Sequence, residues 1–469
     1  MSEQHAVLEA AFNLAAAYRR GLADRQCRPD KSYREMLDLF NEPLPETGLD
    51  EVAVISDLAQ RGEQGLTQMA HPRFFGWVLG SSAPTGVAAD WLVSAWGQNA
   101  AFHESSPTGA AVEEIAGRWL VEILDLPRDA SVGFVTGGTV GNFTALAAAR
   151  GAVLRRYGWD PDSDGLFAAP QITIYLGEDA HTSVYSALGY LGLGRKRVQK
   201  VQTDGEGRMI ASDLARRIGE TAGPAIIIAQ AGQINTGAFD PFTEVVDISR
   251  SADAWLHVDG AFGLWARAHP DYRYLTDGVD GADSWSVDGH KWLQTPFDSG
   301  YAIVRDLDAL QKAMSTNASY LPPQGANDRV PCFLVPELSR RARGIPTWAM
   351  FKSLGRSGIE EIVARHCQIA RRIADRLATT SGVRILNEVV LNQIVVAFGD
   401  CHMTNEDCSV ATEAVTRALR ESGAIFVGSG NWRGDVVMRL SVTSGATTTE
   451  DADKVVDIIL STWKALRGL

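Results

Sequence analysis

Apolar positions recur along this chain with two different periods, and the changes between them mark out its parts. Over residues 8–18 the run Leu-Glu-Ala-Ala-Phe-Asn-Leu-Ala-Ala-Ala-Tyr puts Leu8, Phe12 and Ala15 on one face, the ~3.6-residue repeat of a helix. Pro43 and Pro45 interrupt the pattern, and it resumes over 49–66. Residues 1–75 lack a complete core pattern of their own. They are expected to form a helical arm that buries its stripe on the main body or on another subunit. An aromatic, turn-rich loop follows from His71 to Pro84, then helices are expected over 85–97 and 110–126. Pro107 and its Ser and Thr neighbours supply helix-start chemistry for the second.

From Val132 to Val304 the texture becomes short β-branched runs separated by helical ones. The runs predict strands at 133–136, 172–176, 197–201, 225–229, 255–258, 284–288 and 300–304. Helices are expected between them at 142–154, 182–191, 211–221 and 242–250. Continuous apolar strands alternating with helices predict an α/β fold with a mostly parallel sheet of about seven strands, covered on both faces. This large domain is placed at 76–347. Within it, residues 317–330 are polar, with Pro322, Pro323 and Gly325, and are expected to form a lid-like loop. A long helix over 348–379 opens a smaller α+β domain, 348–469. Its strands are expected near 383–386, 393–398 and 436–441, and its further helices at 409–421 and 449–466.

Composition narrows the classes. The chain has 469 residues, 45% hydrophobic and 22% charged, the balance of a soluble globular protein. A formal charge of −13 without a basic block argues against a nucleic-acid partner. No apolar run approaches the ~20 residues of a spanning helix. The opening Met-Ser-Glu-Gln-His-Ala lacks the order of a secretory signal, so a cytoplasmic setting is expected. Five scattered cysteines point to reduced thiols. Cys401, His402 and Cys408 lie close together, but no second ligand pair follows; they are read as loop residues, and no metal is expected.

Four local features carry chemistry. Thr136-Gly-Gly-Thr-Val-Gly-Asn142 lies between a strand and a helix. Backbone amides of Gly137 and Gly138 there, helped by the hydroxyls of Thr136 and Thr139, would make an anion site, although a plain tight turn fits equally well. His181 follows a strand at a helix start, where it could cap the helix, pack on it or stack on a flat ligand. Asp259 ends an apolar strand, where a carboxylate is costly unless paired; a metal, a turn or a buried cation would serve. Lys291, in Asp288-Gly-His-Lys-Trp292, stands at the carboxyl end of a strand, where ligands bind in such sheets. An anion cradle, a stacking ring, an acid for a buried cation and an amine together match pyridoxal phosphate.

These stretches also resemble the group II pyridoxal-phosphate-dependent decarboxylases, the family of aromatic-L-amino-acid and glutamate decarboxylases. The resemblance is carried by 71–75 (His-Pro-Arg-Phe-Phe), 106–114 (Ser-Pro-Thr-Gly-Ala-Ala-Val-Glu-Glu), 134–139 (Phe-Val-Thr-Gly-Gly-Thr) and 180–183 (Ala-His-Thr-Ser). It continues through 235–240 (Asn-Thr-Gly-Ala-Phe-Asp), 257–261 (His-Val-Asp-Gly-Ala) and 288–292 (Asp-Gly-His-Lys-Trp). It implies an aspartate-aminotransferase-like fold (PLP fold type I) and a homodimer with sites at the subunit interface. It implies decarboxylation of an L-amino acid to the amine and CO2 through an external aldimine and a quinonoid. Lys291 falls on the Schiff-base lysine, Asp259 on the pyridinium partner, His181 on the stacking ring and Ala261 on the ring's other face. Thr136, Gly138 and Thr139 fall on the phosphate turn, with Asp288 and His290 beside the phosphate and lysine.

Three departures stand out. Asp288 occupies a position where many members carry asparagine, and a carboxylate would repel a phosphate unless another group intervenes. The stretch 321–345 contains no tyrosine, only Phe333, whereas aromatic decarboxylases use a loop tyrosine to protonate Cα; Tyr320 just precedes it. Relatives lacking that tyrosine can make an aldehyde by oxidative decarboxylation-deamination, so an aldehyde synthase is the alternative, beside a carbon–carbon lyase or aminotransferase. Trp77-Val-Leu-Gly80 replaces an aromatic-Pro-Thr pattern. Candidate substrate contacts are Trp77, Phe333 and Arg439; Arg341 and Arg343 could also meet a carboxylate, with surface ion pairs the default for each.

Overall fold

A computed structural model describes residues 3–315, 329–400 and 402–468. The residues 317–328 of the expected lid, with Tyr320, and Cys401 lie outside the described residues. Among the described residues there are twelve strands, beginning with the two-residue β1 (Phe74–Phe75).

The large sheet comprises β2 (Ser131–Val135), β3 (Thr173–Gly177), β4 (Gln199–Val201), β5 (Ala225–Gln230), β6 (Trp255–Asp259), β7 (Ser284–Asp288) and β8 (Gly300–Val304). Its order is β2-β8-β7-β6-β5-β3-β4. Only β8 runs antiparallel to its neighbours, so the sheet is α/β and mostly parallel, as the alternation of runs predicts. β5 to β8 are buried at every position, which is why they read as unbroken apolar runs rather than as alternating ones. The remaining strands are β9 (Val383–Ile385), β10 (Gln393–Phe398), β11 (Phe426–Trp432) and β12 (Asp435–Ser441). They join β1 in a second sheet, ordered β1-β11-β12-β10-β9.

Compactness divides the chain into two units. The larger holds Gly80–Arg371 and Leu386–Val395. The other gathers the residues up to Leu79, Arg372–Ile385 and those from Val396 on. In the latter, the arm helix Glu3–Arg20 packs along Glu51–Gly62. Much of its apolar stripe stays outside, with Leu8 65% and Phe12 54% exposed.

Several expected bounds move. The helix after the glycine turn is Gly138–Arg155, four residues longer at its start, because Gly138 to Gly141 take helical turns rather than forming an open loop. The expected helix at 110–126 is Pro107–Ile123, with the Ser106 side chain capping Gly109 N. The long helix is Gly344–Ala378, broken at Gly355, whose φ of 61° few residues but glycine adopt. Tyr33–Phe40 is a further helix, held by a Ser32–Glu35 capping box. Cys408, read as a loop residue, is buried within the helix Asn405–Ser422. Among the described residues no helix is long and apolar enough to cross a membrane, and no His, Cys, Asp and Glu cluster could hold a metal.

Candidate active site

In the larger unit, the register of the sheet brings three strand ends together. Val135 of β2 lies opposite Gly300 of β8, and Gly300 lies opposite Asp288 of β7. One strand further, Asp259 of β6 is opposite Ser286. Side chains that leave the sheet at this edge are therefore neighbours despite separations of more than a hundred residues in sequence.

The helix Gly138–Arg155 starts on this edge. Its hydrogen-bond ladder begins with Gly141 N, which donates to Gly137 O at 2.8 Å, so the amides of Gly138 and Thr139 precede the ladder. No side chain caps the start among the described residues. A Cβ at Gly138 would lie 3.2 Å from Asp288 Oδ2, and one at Gly137 would lie 3.0 Å from His290 Cε1. The turn is thus pressed against the Asp288-Gly-His-Lys segment with no room for side chains. Gly80 seals the other side: its amide donates to His290 O at 3.1 Å, and a Cβ there would meet Lys291 O at 2.0 Å.

Lys291 Nζ stands 2.8 Å from Asp288 Oδ2 and 5.9 Å from the centre of the Phe262 ring. Asp288 is buried, and its Oδ1 has no hydrogen-bond partner among the described residues. Its amide donates to Ala261 O at 3.0 Å, which ties the lysine strand to the Asp259 strand. His290 is buried, and that burial holds it below the ordinary histidine range. Its Nδ1 accepts from Ser299 N at 3.3 Å, and its Nε2 is 3.7 Å from Asp288 Oδ2. Asp259 is 5% exposed. Its Oδ2 accepts from Asn142 Nδ2 at 3.2 Å and its Oδ1 from Ala261 N at 3.3 Å. His181 caps its helix: Nδ1 accepts from Ser183 N at 3.2 Å and meets Ser183 Oγ at 2.7 Å.

A family model described as the pyridoxal-dependent decarboxylase conserved domain matches residues 33–398. The chain belongs to the pyridoxal-dependent decarboxylases. It is accordingly a carboxy-lyase that uses pyridoxal phosphate. Two relatives are similar to it over most of its length. An aromatic-L-amino-acid decarboxylase of Bacillus atrophaeus is 28% identical over 425 residues, 88% of this chain and 85% of the relative. The acidic amino acid decarboxylase GADL1 of Mus musculus is 28% identical over 455 residues, 92% and 80% of the two chains. The crystal structure of Rhodiola rosea 4-hydroxyphenylacetaldehyde synthase shares the fold at a TM-score of 0.89 and 21% identity, covering 99% of this chain and 98% of its own.

The residues on this edge fit that cofactor. The uncapped helix start suits an anion, Asp259 suits a protonated ring nitrogen, and Lys291 is a primary amine within the same cluster. The Asp288 carboxylate is paired with Lys291 Nζ at 2.8 Å. Of the expected residues, Thr136, Gly137, Gly138, Thr139, Ala261, Asp288, His290 and Lys291 gather at one edge, with Asp259 and His181 joined to them through Ala261 and Ser183. Phe333 lies in the short Pro331–Leu334 turn, packed beside Phe102 and Cys332. Trp77 and Arg439 belong to the other unit. There Trp77 is half exposed against Phe74 and Phe426, and burial pushes Arg439 down to about 10. Arg341 and Arg343 take their default role, each at 2.7 Å from Asp90 and Asp298 respectively. Asn142, Ser183 and Ser286 were not singled out from sequence. Only the position of Asn142 at the end of the glycine turn marked it.

Proposed function

We propose that the enzyme removes the carboxyl group of an L-amino acid as CO2 and releases the amine. The observation that carries this reading is the amine of Lys291 set beside an uncapped helix start, with a buried carboxylate on the adjoining strand. Pyridoxal phosphate, when bound, supplies an aldehyde for an amino group and a ring that draws electrons from a breaking bond. In this reading Lys291 Nζ is the anchoring amine. The amides of Gly138 and Thr139, with the hydroxyls of Thr136 and Thr139, hold the phosphate, flanked by Asp288 and His290. Asp259 holds a proton on the ring nitrogen, and His181 and Ala261 cover the two ring faces.

After CO2 leaves, a proton must reach Cα. We assign His181 to that proton transfer, its Nε2 being the ring nitrogen that Ser183 does not engage. Trp77, Phe333 and Arg439 are assigned to the substrate, as apolar faces and a cation for a carboxylate. Lys291→Ala is expected to abolish CO2 release and the visible absorption of bound cofactor; retained decarboxylation would overturn the assignment. An amino-acid panel with product identification by mass spectrometry names the substrate.

A second reading, an aldehyde synthase, is favoured by the missing tyrosine in 321–345. Assaying CO2, amine, aldehyde and peroxide together separates the two. We also place the enzyme in the cytoplasm, supported by four free, buried cysteines (Cys27, Cys332, Cys367 and Cys408) among the described residues. We read it as a homodimer, supported by the exposed apolar stripe of the arm.

A further inference from the structure

Behind the candidate site, six buried side chains of the larger unit form one hydrogen-bonded chain. Trp255 Nε1 donates to Ser284 Oγ at 2.9 Å, and Ser284 Oγ lies 2.9 Å from His257 Nδ1. His257 Nε2 is 2.9 Å from Asn142 Oδ1, which also accepts from Ser286 Oγ at 2.6 Å. Asn142 Nδ2 then reaches Asp259 Oδ2 and Ser183 Oγ, each at 3.2 Å. Asn142, His257, Ser284 and Ser286 are fully buried, so each donor must be met by an acceptor inside the protein. From this chain we propose that Asn142 is a positioning residue, its amide orientation set by Trp255, Ser284 and His257, which keeps a donor on the Asp259 carboxylate. The proposal rests on the reading that Asp259 faces the cofactor's ring nitrogen.

The direction of the chain follows from its two ends. An indole N–H can only donate, so Ser284 Oγ accepts from Trp255 and keeps its own hydrogen available for His257 Nδ1. Burial pushes His257 down to about 4, so at neutral pH its ring is uncharged and carries one hydrogen. With Nδ1 accepting, that hydrogen is on Nε2 and points at Asn142. The oxygen of Asn142 must face it, which turns the NH2 group toward Asp259 and Ser183. At the far end a carboxylate can only accept, and this demands the same orientation. The reverse amide would set Oδ1 against Asp259 Oδ2, and the carboxylate would then need a proton of its own. It would cease to be the anion that holds a proton on a ring nitrogen. The same orientation makes Ser183 Oγ an acceptor from Asn142, leaving its hydrogen for His181 Nδ1 at 2.7 Å or Asp259 Oδ2 at 3.5 Å. One amide thus keeps a donor on Asp259 and on Ser183 at once.

The first test needs no cofactor. Histidine labelled for nitrogen NMR, with the His257 signals identified by their loss in His257→Gln, is expected to show Nε2 protonated and Nδ1 bare at neutral pH. The opposite tautomer, or a doubly protonated ring, overturns the proposal. The second is titration of apoenzyme with pyridoxal phosphate, followed by fluorescence and visible absorption. Asn142→Leu removes the donor to a charged acceptor and is expected to weaken binding roughly ten- to a hundred-fold. Ser284→Ala, a smaller change that serves if the leucine variant fails to fold, is expected to lower affinity and shift the tautomer of His257. Asp259→Asn is the reference. If it binds cofactor as the wild type does, the reading of the site fails. If it binds weakly while Asn142→Leu and Ser284→Ala bind normally, the positioning role alone fails.

Discussion

At the level of single residues, what the sequence conveyed and what it hid differ by distance along the chain. Lys291, Asp259 and His181 each stand at the end of a run whose period announces a strand or a helix start, so position alone made them candidates. Asn142 and His257 gave no such signal, because their partners lie 115 and 117 residues apart and only the folded sheet brings them together. A histidine inside an apolar strand reads as packing until its neighbours are seen. Its burial has a stability consequence that can be measured. Folded His257 stays neutral down to about 4, while the unfolded ring takes a proton near 6.5. Between those values the unfolded chain binds more protons, so this ring's contribution is fully present above about 6.5 and is lost as pH falls toward 4. The difference amounts to about 3 kcal/mol. Buried Asp240 acts in the opposite sense: burial raises it to about 7, so its contribution falls as pH rises from the ordinary value of 3.8. The wild-type curve alone mixes the two. Urea melts of wild type and His257→Gln at about pH 7 and pH 4.5 isolate the histidine, and the gap between the proteins should narrow by roughly 2–3 kcal/mol at the lower pH. A gap independent of pH would mean that the ring is protonated alike in both states.

At the level of elements, continuous β-branched runs were the clearest text. β7 and β8 fall where the runs at 284–288 and 300–304 place them, since strands buried on both faces leave no polar positions to blur their ends. β11 was missed for the opposite reason. Phe-Val-Gly-Ser-Gly-Asn-Trp has two glycines and an asparagine at its centre, all poor strand formers, and pairing with β12 overrides them. The helix at Gly138 was cut short because a glycine-rich start reads as loop, although close approach to Asp288 and His290 is what requires glycine there. Gly80 is under the same demand, pressed on the carbonyl of Lys291. Gly80→Ala sets a methyl against backbone that must move, and is expected to cost about 1–3 kcal/mol and to weaken cofactor binding. Gly48→Ala, with nothing within 4 Å of its new methyl, should stay within about 0.5 kcal/mol of wild type in the same denaturant melts. Equal effects at the two sites would show that the close packing against Lys291 is not what Gly80 serves.

At the level of the whole molecule, the arm is where local pattern and partner have to be read together. Its stripe was legible as a helix face in search of cover, and sequence could not say whether cover came from within the chain. The helix Glu3–Arg20 does meet Glu51–Gly62, yet Leu8, Phe12 and Leu58 remain 65%, 54% and 55% exposed, and Leu44 is 92% exposed. Apolar surface left open on this scale, on consecutive segments, is what an association face would present. The covering face is expected to belong to a second copy, since symmetric pairing is the commonest way a soluble chain hides such a stripe. Leu8→Asp combined with Phe12→Asp puts two charges into that face and leaves every residue of the larger unit unchanged. Sedimentation should then report a particle of 50.7 kDa where the wild type gives twice that mass. If the site also lies at the interface, as resemblance implies, decarboxylation should fall in step with dissociation and recover at high protein concentration. A variant that sediments as a monomer and keeps full activity would separate the two ideas: the arm would still be the dimer contact, and each chain would carry a complete site of its own. A wild type already at 50.7 kDa would remove the second copy altogether.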